Sequence, residues 1–269
     1  MQILLFKNTF FLTLFLLISC GNGNHVSNST DRKEVSAFAK ADSNAANSKT
    51  EIQNTKDQQN LPIIVGANRT TEYLPLLQNK KVGVVTNQSG LIFKTETHSK
   101  EKSTHLVDSL LSLGIAVKHV YSPEHGFRGD ADAGEKVKDS KDPKTGLPIV
   151  SLHGKNKKPT QEQLQDIDIL VFDIQDVGVR FYTYISTLTY VMEAAAEKGI
   201  PVIVLDRPNP NAHYIDGPTL EPEHSSFLGM HPIPLVYGMT IGEYAQMVNG
   251  ERWLTDGIQC DLTVIPLQN

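Results

Sequence analysis

Two apolar runs, Ile169–Asp173 (ILVFD) and Pro201–Asp206 (PVIVLD), constrain this chain more than any other feature. Neither alternates apolar with polar residues, so each must be covered on both faces, as the strands of a parallel sheet are. Between them, Tyr184–Lys198 carries apolar residues at helical spacing with an Ala-rich face, and Gly199 follows as a stop. Strand, helix and strand in that order make a βαβ unit. The alternation begins at Leu61 and continues to the last residues. Strands are predicted over Lys81–Thr86 (KVGVVT), Ile115–Tyr121, Pro148–Leu152 and Leu262–Ile265, and helices over Thr104–Leu113, Thr160–Gln165 and Thr240–Asn249. The expected fold class is α/β. A Rossmann-like parallel sheet with flanking helices is expected over residues 61–258, followed by the start of a smaller, incomplete C-terminal domain over 259–269.

The N-terminal residues have a different logic. Lys7 supplies a thin positive region, Phe10–Ile18 an apolar run, and Leu17-Ile18-Ser19-Cys20 a lipobox, so residues 1–19 read as a lipoprotein signal peptide with Cys20 as the lipidation site. The apolar run falls short of the roughly 20 residues a spanning helix needs. The alternatives are an ordinary secretory signal with an incidental cysteine, or a short signal-anchor. Residues 20–60, rich in Asn, Ser, Thr, Lys, Gln and Asp, read as the lipidated cysteine and a disordered tether. As a flexible coil such a tether reaches about 35 Å. The expected location is the cell envelope, lipid-anchored, as a periplasmic or outer-membrane lipoprotein. With Cys20 carrying lipid, Cys260 is the one cysteine left of the two, so the core rather than a disulfide must hold the fold. A net charge of −5 gives no electrostatic case for nucleic acid.

In open α/β sheets ligands bind beyond the carboxyl ends of the strands. Four strands end in polar or Gly/Pro-containing segments: Thr86–Gly90, Ser122–Gly126, Asp173–Gly178 and Asp206–Pro210. Several familiar chemistries find no support there. VGVVTNQSG has the wrong glycine spacing for a dinucleotide fingerprint, and neither a GxxxxGK[ST] phosphate loop nor a GxSxG elbow occurs. The nine histidines form no HExxH, so neither metal nor cofactor is expected.

The segment SPEHGFRGDADAGE, Ser122–Glu135, is the densest candidate. Glu124 emerges directly after a strand, where partial desolvation would raise its pKa and suit it to protonate a leaving oxygen. Its alternative is a loop carboxylate that only accepts backbone hydrogen bonds. His125 either orients Glu124 or is structural. Glycosidic hydrolysis usually needs a second carboxylate or a substrate group in its place. Asp173, Asp176 and Glu135 are available, with Asp173 at a central strand end preferred; its competing role is to cap the following turn. Asp132 and Glu135 read equally well as a solvated acidic face. Arg180, Tyr182 and Arg207 have the chemistry to hold an anionic, hydroxyl-rich substrate, although either arginine has Asp173 or Asp206 as a structural partner. Asn87 and Asn209 complete the strand-end polar set.

These segments resemble the NamZ (YbbC-like) family of exo-β-N-acetylmuramidases, peptidoglycan-recycling glycosidases. The resemblance runs from about Gly66 to the last residue and is carried by VGVVTNQSG, SPEHGFRGDADAGE, DILVFDIQDVGVRFYTYISTL, PVIVLDRPNP and YGMTIGEYAQMVNGE. It implies hydrolysis of terminal non-reducing MurNAc from peptidoglycan fragments, and a substrate cleft between a Rossmann-like domain and a smaller C-terminal one. Glu124 would be the catalytic residue, and the lactyl carboxylate would suit Arg180 or Arg207. The chain stops at Asn269, where the family continues into its second domain, so a truncated chain is expected. A non-catalytic envelope lipoprotein that binds peptidoglycan fragments is the alternative of a different class. A nucleotide-binding oxidoreductase is a third, without a fingerprint to support it.

Overall fold

The computed structural model describes residues 61–94, 102–129 and 139–269; Cys20, with the leader and tether, and Asp132 and Glu135 lie outside the described residues. The elements run α1 (Thr70–Leu77), β1 (Lys81–Thr86), β2 (Leu91–Phe93), β3 (Ser103–His105), α2 (Leu106–Ser112), β4 (Ala116–Ser122), β5 (Ser140–Lys141), β6 (Pro148–Ser151), β7 (Ile169–Asp173), α3 (Tyr184–Lys198), β8 (Val202–Leu205), α4 (Ile241–Gly250) and β9 (Leu262–Ile265). Seven strands form one sheet in the order β5-β6-β4-β1-β7-β8-β9, parallel throughout except for β5 at one edge. With β5 set aside, the parallel strands stand in the order third, second, first, fourth, fifth, sixth. That is the doubly wound Rossmann order, whose switch point lies between β1 and β7.

Strand alternation explains the layers. Val82 and Val84 of β1, Ile169 and Val171 of β7, and Ile203 and Leu205 of β8 point to one face and pack with Tyr73 and Leu77 of α1 and Leu106 and Leu110 of α2. Val85, Leu170, Phe172, Val202 and Val204 point to the other face and meet Leu188 and Met192 of α3 and Tyr244 and Val248 of α4. A buried parallel strand therefore reads as an unbroken apolar run because both sets of its side chains are core. The helices are bounded by local chemistry. Gly199 ends α3 at φ 72°, and α4 opens with a capping box between Thr240 and Glu243.

The structure corrects two expectations and bears on a third. Within residues 259–269, expected to open a second domain, β9 pairs with β8 along Val202↔Leu262 to Leu205↔Ile265 and supplies an edge strand of the main sheet. Thr160–Gln165 is not a helix but a series of turns, held by Leu164 N donating to Thr160 O at 3.1 Å. The helix predicted from Thr104 starts at Leu106, because Thr104 and His105 pair with Ile92 and Leu91 of β2. His105 then caps the helix, its Nδ1 accepting from Val107 N at 3.2 Å.

Candidate active site

The Rossmann switch point is filled by the protein itself. Asp173, at the end of β7, is wholly buried and takes a forked ion pair from Arg207, Nε to Oδ1 at 2.6 Å and Nη2 to Oδ2 at 3.0 Å. Arg207 Nη2 also donates to Leu91 O at 3.0 Å, and Thr86 Oγ1 donates to the Asp173 carbonyl at 2.8 Å. Neither Asp173 nor Arg207 is among the residues lining the cavity that holds Glu124. The two residues expected as second catalytic carboxylate and substrate clamp are paired with each other. A buried carboxylate is tolerable there only because a guanidinium matches it in charge and geometry.

The cavity lies to one side, over β4 and the residues leading into α3. It has a volume of about 240 Å³. Glu124 and His125 line it from the β4 loop, Phe181, Tyr182, Thr183 and Tyr184 from the chain before and at the start of α3, and Leu228 from the long segment between β8 and α4. Glu124 is the sole carboxylate lining it among the described residues. The turn presenting it is tight: Gly126 N donates to Pro123 O at 3.3 Å, and His125 has φ 72°, a left-handed conformation that costs a non-glycine residue about 1 kcal/mol. His125 is thus placed in the cavity wall and also sets the bend of the turn. The loop is fastened farther along by Arg128, which pairs with Asp142 at 2.7 Å and Asp108 at 3.0 Å. Burial pushes the Asp142 carboxyl up, but its bonds to Arg128 and Thr145 outweigh that and hold it at about 2.

Two tyrosines form the polar wall. Their rings meet edge to face at 5.0 Å and 83°. Burial pushes the Tyr184 phenol well above the ordinary range, and Tyr182 and the charge of Glu124 add to the shift. Asn87 is itself buried, with Oδ1 accepting from Ser89 N at 2.9 Å and Ser89 Oγ at 2.5 Å. It braces the turn after β1 and does not line the cavity.

Arg180 and Asn209 also turn out to hold the scaffold. Arg180 is buried, and its Nη1 donates to the carbonyls of Pro218 (3.0 Å) and Ile233. It thereby fixes the segment that carries Leu228 to the cavity rim. Asn209 donates to Met239 O and accepts from Asn211 N, both at 2.8 Å, and packs so closely on Gly178 that a Cβ there would lie 2.0 Å from its Oδ1. Asp176 accepts from Gly178 N at 2.8 Å and from the Tyr237 hydroxyl; burial pushes its carboxyl up despite those bonds. Of the expected set, the cavity therefore gathers Glu124, His125 and Tyr182. Asn87 braces its own turn, and Asp173, Arg180, Arg207 and Asn209 hold neighbouring segments together.

The sequence reading missed Tyr184, Phe181, Leu228 and His153. Phe181 and Leu228 are 55% and 63% exposed and give the cavity an apolar wall beside its carboxylate. Their visible signal was only that of large apolar residues in polar surroundings. His153 Nδ1 lies 3.9 Å from Glu124 Oε2. A proton donor, two phenols and apolar surface around one small cavity suit acid-assisted cleavage of a sugar derivative, in which the acid protonates a leaving oxygen and the aromatic faces hold the ring.

These features define an open, doubly wound α/β protein with a carboxylate-bearing cavity at its strand ends. The particular family follows from sequence and structure comparison. Residues 82–269 match the N-terminal model of the exo-β-N-acetylmuramidase NamZ, and the chain belongs to that family. Over 200 residues it is 50% identical to the peptidoglycan β-N-acetylmuramidase NamZ of Bacillus subtilis (strain 168), covering 74% of this chain and 45% of that protein. Two DUF1343 family proteins of Bacteroides fragilis with crystal structures are 45% and 40% identical, at TM-scores of 0.67 and 0.68. Each alignment covers 77% of this chain, and 52% and 50% of the respective relatives. The chain thus spans about half the length of the relatives it matches.

Proposed function

We propose that this chain is the catalytic body of an exo-acting β-N-acetylmuramidase that removes terminal non-reducing MurNAc from peptidoglycan fragments during cell-wall turnover and recycling. The carrying observation is the placement of Glu124: a carboxylate on a strained turn, inside a cavity walled by Tyr182, Tyr184 and Phe181. Family membership and the name of the Bacillus subtilis relative support the same substrate class. In this mechanism Glu124 donates a proton to the glycosidic oxygen as the C1–O bond breaks, and positive charge develops at the ring. The second group that glycosidases require is either Glu135, eleven residues further along the sequence, or the acetamido oxygen of the substrate itself. The pairing of Asp173 with Arg207 argues against Asp173 in that role.

The lipobox at Leu17–Cys20 supports a lipid-anchored protein of the cell envelope, with residues 20–60 as its tether. Two experiments test these proposals. Incubation of the leaderless full chain with MurNAc-GlcNAc should release free MurNAc, whereas GlcNAc-MurNAc should remain intact; no release from either leaves a fragment-binding lipoprotein. Radiolabelled palmitate should enter the full precursor in a bacterial host and fail to enter the Cys20→Ala variant, and equal labelling of both would refute the anchor.

A further inference from the structure

The chain register of the sheet brings a second ionisable residue to Glu124. β4 and β6 are parallel neighbours in which Ser122 and Ser151 are register partners, and Leu152 N donates to Ser122 O at 2.8 Å, extending the pairing past the strand ends. Glu124 and His153 each stand two residues beyond that partner pair. Equal advance along parallel strands puts them side by side at the same edge. The imidazole Nδ1 is 3.9 Å from Glu124 Oε2, with the two side chains 22% and 28% exposed. His153 N donates to Ser151 Oγ at 3.3 Å, which ties the backbone under the ring to the strand end. The imidazole does not line the cavity that Glu124, Tyr182 and Tyr184 share. It therefore reaches the reaction only through Glu124.

We propose that His153 is the positioning residue for Glu124, turning its carboxyl toward the cavity and holding the carboxylate that forms when its proton leaves. This rests on Glu124 being the acid of the proposed glycosidase. A general acid enters the step carrying the proton it will donate. As the C1–O bond breaks, the proton passes to the leaving oxygen, the bonding pair goes to that oxygen, and a negative charge remains on Glu124. An Nδ1–H of His153 interacts more strongly with that carboxylate than with the neutral acid, so its contribution grows along the reaction coordinate and raises kcat without tightening substrate binding. A separation of 3.9 Å is longer than a hydrogen bond. Catalytic pairs of this kind commonly close to hydrogen-bonding distance in the substrate complex.

The test is steady-state kinetics on MurNAc-GlcNAc with the leaderless full chain. His153→Leu should lower kcat about 10- to 100-fold, the size of a lost hydrogen bond to a charged group, with KM within about twofold of wild type. His153→Asn, whose amide nitrogen takes the place of Nδ1, should recover at least half of that loss on a logarithmic scale. In a Glu124→Gln background, His153→Leu should cost nothing further, because the two residues act as a unit. A wild-type kcat in His153→Leu, a loss carried by KM, a failure of Asn to rescue, or an additive loss in the double variant overturns the positioning role. If His153→Leu fails to fold by thermal melting, the Asn variant and its own double with Glu124→Gln decide the matter by the same criteria. Failure of the parent proposal looks different: Glu124→Gln would then retain wild-type turnover, or the wild type would release no MurNAc.

Discussion

Replacing Arg207 by Met separates a structural ion pair from a substrate clamp. The guanidinium and the Asp173 carboxylate are 3% and 0% exposed and joined by two bonds of 2.6 and 3.0 Å. Removing the arginine leaves a carboxylate with no access to water and deprives Leu91 O of a donor. Breaking a buried pair from one side typically costs about 3–5 kcal/mol, because the remaining charge is desolvated and unpaired. For a folded body of this size that is a loss of roughly 6–20 °C in melting temperature. Urea denaturation of wild type, Arg207→Met, Asp173→Leu and the double variant measures it. Each single variant should fall by several kcal/mol, and the double should lose less than the sum of the two, since removing both charges leaves neither stranded. If Arg207→Met were within 0.5 kcal/mol of wild type and instead raised KM on MurNAc-GlcNAc, on the order expected of a surface change, Arg207 would be a substrate clamp after all.

Two further outcomes follow from the frame of the site. Asp142 is held at about 2, below its ordinary 3.8, and a depressed carboxyl contributes stability above the unfolded value that is lost as pH falls from about 4 to about 2. Wild type should lose about 2 kcal/mol more than Asp142→Asn across that window in urea titrations, and parallel curves would contradict the Arg128–Asp142 pairing. Gly83 has no room for a side chain, since a Cβ would stand 2.7 Å from Leu170 Cδ2 and 2.8 Å from Tyr121 Cε2. Gly83→Ala should therefore cost about 1–3 kcal/mol by overpacking, measured as a shift in urea midpoint at constant m.

Much of the frame was legible because its signals are local. The apolar runs at Lys81–Thr86 and Ile169–Asp173 are strands with those same bounds, and the stop at Gly199 ends α3 as expected. What escaped depends on which chain segments become neighbours. The seventh strand looked like the start of another domain because only its pairing with β8 assigns it to this sheet. Asp173 and Arg207 carry the right chemistry for a site, and their competition for each other was visible as an alternative; only packing decides it, by burying both. His153 has no motif around it and is brought to Glu124 by the β4–β6 register. Leu228 reaches the cavity because Arg180, 48 residues earlier in the sequence, clamps the carbonyls of Pro218 and Ile233.

The role of Glu124 carries the proposed chemistry, and Glu124→Gln tests it most directly. The substitution keeps the shape of the side chain and removes its transferable proton. Isothermal titration with MurNAc-GlcNAc should give a Kd within a few-fold of that measured for wild type under conditions too brief for turnover. Release of MurNAc by the variant should fall by at least 100-fold, the lower bound for loss of general acid catalysis. Turnover of Glu124→Gln at the wild-type rate, with the same KM, would contradict the assignment of Glu124 as the acid.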